Sequence, residues 1–564
     1  MPPNALRYAE LHCCSNFTFL EGGSHPEELV ETAAQLGLYA IALTDRDGLY
    51  GAVRFAKAAA DVKIPGIVGA ELNFEDGRFL TALVENELGY ANLCEIVSSG
   101  QLRGAKAEPR LQYTDIDGRT DGLVVLCNEP DAAYVRMLRE RLAGCLYLEL
   151  QHHLHAADAR RCRELMTIAN ELQVPFVATN GVMYACKDDA RLADVLFCIK
   201  NKTNLAQARE DALLRPNAEY HLKPARMMAQ IFSGYPDAIR NTLVIAERCA
   251  FRLERLAGQF PVFPVPEGYT RQSYLRELVY RGAAQRYGSP LDSKVERQLE
   301  YELGMIARMD LAGYFLIVWD IVRAANDMRV LCQGRGSAAN SAVCYALGIT
   351  AVDPVGMNLL FERFMSEGRE EIPDIDVDFA HQDREKVIQY VYDRYGRTHA
   401  AMAAEVVTYH ARSAIRDIGK AIGLTLAQVD SVAKEFDARE SLAGAMGVPS
   451  PSHAPENKEP PPPRGQPRKP RLGHAHDYHG FYDRDYGDDP DPNIKAPLDA
   501  EIGERLFALC RRIEGFPRHM GIHSGGMVIT RDPLVRVAPV EWATMRDRTI
   551  VQWDKDDLQD LGLI

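Results

Sequence analysis

The chain has 564 residues, is 46% hydrophobic and 26% charged, and carries a formal net charge of −14, which describes a globular protein of roughly three or four domains. That acidic balance excludes a protein that coats DNA through bulk basicity, since nonspecific affinity comes from Lys and Arg neutralising phosphates; a local basic groove remains compatible with it. The longest relevant apolar run, Leu311 to Trp319, is far shorter than the ~20 residues that cross a bilayer, so no membrane partner is expected. The N-terminus, MPPNALRYAELHCC, lacks the basic-then-apolar order of a secretory signal, and a cytoplasmic location is expected. The 12 cysteines stand mostly singly in apolar segments (Cys94, Cys145, Cys198, Cys344, Cys510), without a CxxC pair, and are read as reduced core thiols.

From about residue 8 to 250, short β-like runs (YAIALT, IPGIVGAEL, DGLVVLC, CLYLEL, VPFVAT) alternate with helical stretches such as HPEELVETAAQLG. The alternation predicts an α/β layer or barrel with a mostly parallel sheet, whose strand ends are where chemistry is placed. His12, Asp45 and Glu71 fall at such ends. Taken by themselves they are polar residues at strand termini. His152, His153 and His155 are adjacent or nearly so, and side chains so spaced point in different directions.

A second domain is expected to start near 255 to 290, where KVERQLEYELGMIARM has helical spacing and LAGYFLIVWDIV follows it. Next comes Gln333-Gly334-Arg335-Gly336-Ser337-Ala338-Ala339-Asn340-Ser341, leading into AVCYALGI. Small residues, a hydroxyl and an Arg at a helix start suit an anion, with backbone N–H groups and the helix dipole facing a phosphate; a simple helix cap is the alternative.

The sharpest pattern is Pro373-Asp374-Ile375-Asp376-Val377-Asp378-Phe379, in which acids and apolar residues alternate. In a strand this places the carboxylates on one face, neighbours roughly 6.5 Å apart. They can converge on divalent ions about 3.5–4 Å apart, as phosphoryl transfer requires, and Mg2+ suits carboxylates plus substrate phosphates. A solvated acidic edge is the competing reading. Between about 437 and 500 the sequence is rich in Pro, charge and turn formers, which predicts a disordered insertion. Helical periodicity resumes at AEIGERLFALCRRIEGF.

Four ordered segments carry a family resemblance: GYFLIVWD (313–320), GRGSAANSAVCYALGIT (334–350), LFERFMSEGREEIPDIDVDF (360–379) and RHMGIHSGGMVI (518–529). Together they resemble consecutive palm motifs of the bacterial C-family DNA polymerases, the group of the DNA polymerase III alpha subunit. The resemblance implies a palm of the polymerase-β nucleotidyltransferase type with an inserted helical thumb. Asp376 and Asp378 would be its catalytic, Mg2+-binding acids and Asp374 a bystander. Gly334, Arg335, Gly336 and Ser337 would meet the incoming triphosphate. Asn340 departs from the small residue usual there.

His12-Cys13-Cys14-Ser15, Thr44-Asp45-Arg46-Asp47 and Gly69-Ala70-Glu71 resemble motifs of the polymerase-and-histidinol-phosphatase (PHP) domain, a β/α barrel that holds metals with His and acid ligands. This makes His12, Asp45 and Glu71 candidate ligands of a degraded metal site. Cys14 and Arg46 stand where His is expected, and Gly181 and Met183 where Asp and His are expected. Metal binding there is therefore in question, and the expectation is a barrel without phosphoesterase activity that buttresses the palm.

The implied order is a PHP domain over 1–255, a first palm part over 256–407, a thumb over 408–508 that includes the insertion, and a second palm part over 509–564. The family's third catalytic carboxylate would follow the segment Gln552–Asp557 and Leu561–Ile564 by about three residues, so a truncated, catalytically deficient chain is expected. The openings YAELHCCSNFTFLEGGSHPEELVETAAQLG and LTDRDGLYGAVRFAKAA are closer to the error-prone, damage-inducible branch, which performs translesion synthesis and damage-induced mutagenesis. The replicative alpha subunit and a PHP-type phosphoesterase are the alternatives. The resemblance implies as partners primed template DNA, deoxynucleoside triphosphates, a sliding clamp and accessory mutagenesis proteins.

Overall fold

The structure, a computed structural model, describes residues 6–142, 144–254, 256, 261–365, 373, 375–435 and 500–563. Asp374 and all but the last residue of the expected insertion at about 437–500 lie outside them. Two units make up the chain: Met1–Ala190 with Pro216–Val407 and His519–Ile564, and Arg191–Arg215 with Thr408–Arg518.

The first unit opens with a seven-stranded sheet in sequential order: β1 (Ala9–Glu10), β2 (Ala40–Leu43), β3 (Gly66–Asn73), β4 (Phe79–Val84), β5 (Leu123–Cys127), β6 (Leu146–Gln151) and β7 (Phe176–Thr179). Neighbours are parallel except β3–β4 and β4–β5. A parallel bridge between Cys13 and Val182 links the chain just past β1 to the chain just past β7, so the sheet is a nearly closed barrel. Its strands are apolar and buried almost throughout, as in sheets covered on both faces.

Alternate strand positions explain what the barrel encloses. Ile67, Leu83, Val124, Leu126, Tyr147 and Val177 share one buried cluster with Ile245, Ala246 and Cys249 around the helix Pro236–Arg248. The same parity, continued to the other end, brings Glu71, Thr81, Glu149, Gln151 and Thr179, so the interior is apolar at one end and polar at the other. β4 is an addition to the predicted strands: FLTALV returns antiparallel to β3 across Glu75-Asp76-Gly77-Arg78.

The rest of this unit is built on the helices Arg271–Tyr287, Ser293–Arg308 and Ala312–Asp327. Leu275, Leu299, Phe315, Leu316, Phe361 and Phe364 form part of their core. A two-stranded antiparallel sheet, β8 (Cys332–Arg335) with β9 (Asp376–Phe379), and the helix Arg384–Tyr395 follow. A four-stranded sheet has the order β11 (Pro517–Ile529), β10 (Ala400–Thr408), β13 (Thr549–Val551), β12 (Val540–Trp542). The barrel's hydrophobic core continues into it, taking in Ala401, Val528, Val540, Val551, Trp553, Leu558 and Leu561.

In the second unit the helices Ala411–Ala421, Leu426–Glu435 and Ala500–Ile513 pack together. Ile415 and Ile418, like Leu506, Cys510 and Ile513, are buried at helical spacing. Among the described residues no helix is long and apolar enough to cross a membrane.

Candidate active site

In β9 the period of two puts Asp376 and Asp378 on one face with side chains 45% and 68% exposed, open to solvent and ligand. Ile375 is buried, and Val377 and Phe379 pack against apolar neighbours. Opposite lies β8, with Arg335 paired to Asp376 and Gln333 to Asp378. The Arg335 side chain reaches both acids: its Nε lies 3.1 Å from Asp378 Oδ1 and its Nη2 3.9 Å from Asp376 Oδ2.

The glycines here have separate reasons. Gly334 donates its N–H to Ile349 O at 2.7 Å, and a Cβ at Gly334 would also sit 2.7 Å from that oxygen, so no side chain fits. Gly336 has φ +67°, the left-handed conformation that glycine adopts without steric cost, and it opens the 3-10 turn Gly336–Asn340. Asn340, the departure noted above, donates Nδ2 to Ser337 O at 3.0 Å and closes this turn.

The helix that follows, Ala342–Ala346, does not present the expected anion site. Its N-terminus is already occupied: Ala342 N and Val343 N donate to the Glu302 carboxylate at 2.9 and 3.0 Å, and Cys344 N to Ser341 Oγ at 3.1 Å. Ser341 Oγ in turn donates to Glu302 at 2.7 Å. Buried Glu302 thus substitutes for a phosphate at that helix, which leaves Arg335 and the turn Gly336–Asn340 as the polar wall beside the acids.

Two residues of the GYFLIVWD segment hold this arrangement. Tyr314 Oη accepts the N–H of Ile375 at 3.1 Å, just before the carboxylate strand. Buried Asp320 accepts hydrogen bonds from Arg323 at 2.7 Å, Tyr390 at 2.8 Å, Arg394 at 3.3 Å and Tyr395 at 3.4 Å, tying the helix Ala312–Asp327 to the helix behind β9. The donor set, two solvent-open carboxylates, fits a hard divalent cation that keeps several waters.

At the polar end of the barrel, His12, Cys14 and Glu71 place one ligand atom each within 4.8 Å of one another. Asp45 is nearby but committed elsewhere, accepting from Ser15 N at 2.7 Å, Ser15 Oγ at 2.8 Å and Thr18 Oγ1 at 2.8 Å; burial pushes its carboxyl up to about 6. His12 is held between two acids, Nδ1 2.8 Å from Glu149 Oε1 and Nε2 3.3 Å from Glu71 Oε2. Burial opposes its protonation, but the charge of Glu149 and the hydrogen bonds to its neighbours outweigh that and raise its pKa well above the usual value.

Arg46 donates Nε to Glu71 Oε1 at 2.5 Å and Nη1 to both oxygens of Glu21 at 2.6 and 2.7 Å. Burial favours the neutral acid at Glu71, yet His12 and Arg46 together hold its pKa at about 2. The Cys14 thiol donates to Thr44 O at 3.4 Å, and burial keeps it protonated by raising its pKa. At Gly181 a Cβ would come within 2.8 Å of Gln151 Nε2; Gln151 fills the space and donates to Glu149 Oε1 at 3.0 Å. A multi-metal PHP centre does not fit these residues: Glu71 is paired, both His12 nitrogens are engaged, and Cys14 is a donor.

Residues 152–155 are engaged locally. His153 Nε2 meets Asn180 O at 2.7 Å and its ring stacks on Tyr220, His152 Nδ1 accepts from Leu154 N at 3.1 Å, and His155 caps the helix Ala156–Leu172. Sequence reasoning missed Glu149, Gln151, Glu21 and Glu302. For the first two there was a signal: in the wholly apolar setting of LYLELQ, polar side chains recur at alternate positions.

The segment Gln552-Trp553-Asp554 faces the barrel. Trp553 is fully buried and donates Nε1 to Leu49 O at 3.0 Å, and Leu49 N donates to Gln552 Oε1 at 2.9 Å. Arg54 pairs with Asp554 at 2.9 Å, Tyr50 donates to Glu541, and Arg536 pairs with Glu95 at 2.6 Å.

The chain matches the family model of the bacterial DNA polymerase III alpha NTPase domain over residues 273–462 and 474–564, and that of the PHP domain over 10–174. It is 40% identical over 590 residues to a Mycobacterium bovis protein named error-prone DNA polymerase, covering 100% of this chain and 49% of that one. Proteins of the same name from Pseudomonas aeruginosa and Pseudomonas savastanoi pv. phaseolicola are 42% and 41% identical, covering 99% of this chain and 50% of theirs. The chain therefore spans about half the length of the curated relatives it matches. With a PHP barrel ahead of the carboxylate strand and its glycine-rich turn, the chain belongs to the bacterial DNA polymerase III alpha family.

Proposed function

We propose that this chain supplies the nucleotidyl-transfer acids and part of the triphosphate cradle of an error-prone DNA-directed DNA polymerase. The observation that carries the reading is the pairing of β9 with β8, which sets two exposed carboxylates beside Arg335 and a glycine-rich turn. Asp376 and Asp378 would hold Mg2+, which on binding neutralises phosphate charge and activates the attacking oxygen. Gly334, Arg335, Gly336 and Ser337 would meet the triphosphate, Arg335 exchanging a carboxylate for a phosphate as its partner.

In this reading residues 1–255 form the PHP domain, 256–407 and 509–564 the palm, and 408–508 the thumb with its insertion. The barrel serves as a buttress through the Trp553 and Arg54 contacts. Primed template DNA and deoxynucleoside triphosphates are the substrates, a sliding clamp and accessory mutagenesis proteins the partners of the whole protein, and the cytoplasm its location. Translesion synthesis is the role this reading gives the whole protein; the relatives' name, error-prone DNA polymerase, is compatible with it.

Primer extension by the full-length protein with Mg2+ and all four deoxynucleotides tests this. Asp376→Asn and Asp378→Asn should each reduce extension to background. Extension by either variant at the wild-type rate would remove these acids from the chemistry.

A further inference from the structure

The polar end of the barrel buries several acids. Glu71 and Glu149 are buried, as is Asp45, and Glu149 Oε2 is buried without a hydrogen-bond partner among the described residues. Isolated buried carboxylates are costly unless a cation is close. In a metal-binding barrel that cation is an ion. Here two side chains lie in its place: His12, between Glu149 and Glu71, and Arg46, between Glu71 and Glu21.

The geometry of Arg46 is the informative part. Its Nε is 2.5 Å from Glu71 Oε1, while Glu71 Oε2 faces His12 at 3.3 Å, so both oxygens of the one carboxylate in the His12, Cys14, Glu71 triad are used. Arg46 then continues to Glu21, anchoring the loop after β1 to the loop after β2. A planar guanidinium makes such two-sided carboxylate contacts with a fixed charge that no change in pH near neutrality removes. An ion at the triad would sit beside that charge and would need both the Glu71 oxygen and a deprotonated Cys14, whose thiol now donates to Thr44 O.

We propose that Arg46 is the resident cation of this pocket, occupying the electrostatic place of a metal against Glu71 and Glu21, so that the barrel is closed and stable without a divalent ion. The inference is independent of the nucleotidyl-transfer reading, since it concerns only the barrel.

The test uses the full chain, stripped with EDTA and titrated with Co2+, whose bond to a thiolate gives a charge-transfer absorption that carboxylates do not give. Wild type should show no such band, and its melting temperature should be the same in EDTA and in Co2+. Arg46→Ala should melt lower in EDTA, by a few degrees. It should also gain the thiolate–cobalt band at one ion per chain, and Cys14→Ser in that background should abolish it.

A band in wild type that Cys14→Ser removes would overturn the proposal, as would an Arg46→Ala chain that melts like wild type in EDTA or gains no band with Co2+. If Arg46→Ala does not yield folded protein, the wild-type titration decides alone: absence of the band with an EDTA-indifferent melt upholds the proposal, and its presence refutes it.

Discussion

Arg335 Nε lies 3.1 Å from Asp378 Oδ1 across the β8–β9 pair, so one side chain both neutralises a candidate metal ligand and belongs to the turn assigned to the triphosphate. In the proposed reading the guanidinium leaves the acids when it meets the phosphate. Arg335→Ala should therefore tighten Mn2+ binding to the acids and weaken binding of the nucleotide. The pair is exposed, and exposed pairs are worth about 0–1 kcal/mol, so the gain in Mn2+ affinity should be at most about fivefold. Electron paramagnetic resonance of free Mn2+ in a titration of the chain reads it directly. Weaker Mn2+ binding in the variant would mean that Arg335 orients the carboxylates instead of competing for them.

Glu302 yields the second expectation. Its two oxygens accept from Ser341 Oγ, Ala342 N, Val343 N and Gln298 Nε2 at 2.7–3.0 Å. Glu302→Gln keeps the shape but replaces one acceptor with a donor, leaving a backbone N–H facing another N–H. An unsatisfied buried donor costs about 1–3 kcal/mol, so the variant should unfold at lower urea with an unchanged m-value. An unaltered midpoint would show that the helix start can find another acceptor.

These two sites show what was and was not readable beforehand. The carboxylate face was legible because a period of two in Asp376-Val377-Asp378-Phe379 has one meaning in a strand. Runs such as LVVLC and FVAT were legible as buried strands, whereas FLTALV was passed over because Thr81 interrupts its apolar run without making it an alternating one. The anion site at the helix Ala342–Ala346 was misplaced for a different reason. Glu302, which fills it, lies on another helix, and no local pattern signals that its carboxylate turns inward. Likewise Arg46 was visible as a foreign charge among candidate metal ligands, but its second partner, Glu21, comes from a loop that only the fold brings close.

The seam between barrel and four-stranded sheet has a measurable weight. Trp553 is fully buried and its indole N–H is bonded to Leu49 O; truncation to Ala removes both packing and a hydrogen bond, at about 3–5 kcal/mol. Trp542 makes a comparable bond, Nε1 to Leu102 O at 2.7 Å, but is 39% exposed. Trp542→Ala should therefore cost only about 1 kcal/mol. Chemical denaturation of the two variants should separate them clearly, and equal losses would show that burial at Trp553 is not what joins these elements.

Asp557 gives the seam a pH dependence. It stands in the first turn of the helix Lys555–Asp560, nearly buried, with Oδ2 lacking a hydrogen-bond partner among the described residues and Arg54 Nε 3.7 Å from Oδ1. Burial, reinforced by the charge of Asp554 and only partly offset by Arg54, raises its carboxyl pKa from 3.8 to about 7. Below pH 4 both folded and unfolded chains hold this proton and it has no effect. Between pH 4 and 7 the unfolded chain loses the proton while the folded chain keeps it, so the folded state binds more protons and stability falls as pH rises, by at most about 1.4 kcal/mol per pH unit. Above pH 7 both states are ionised and the penalty is constant. Buried Glu10, likewise raised to about 7 by burial, adds a fall of the same sign, so the wild-type curve alone does not isolate Asp557. The difference in unfolding free energy between Asp557→Asn and wild type does. It should grow in favour of the variant from pH 4 to pH 7 and then level, whatever constant offset the amide itself brings in place of the neutral carboxyl. A difference that stays flat across that window, or shrinks, would show that Asp557 is ionised in the folded chain and that Arg54, despite its distance, compensates the burial.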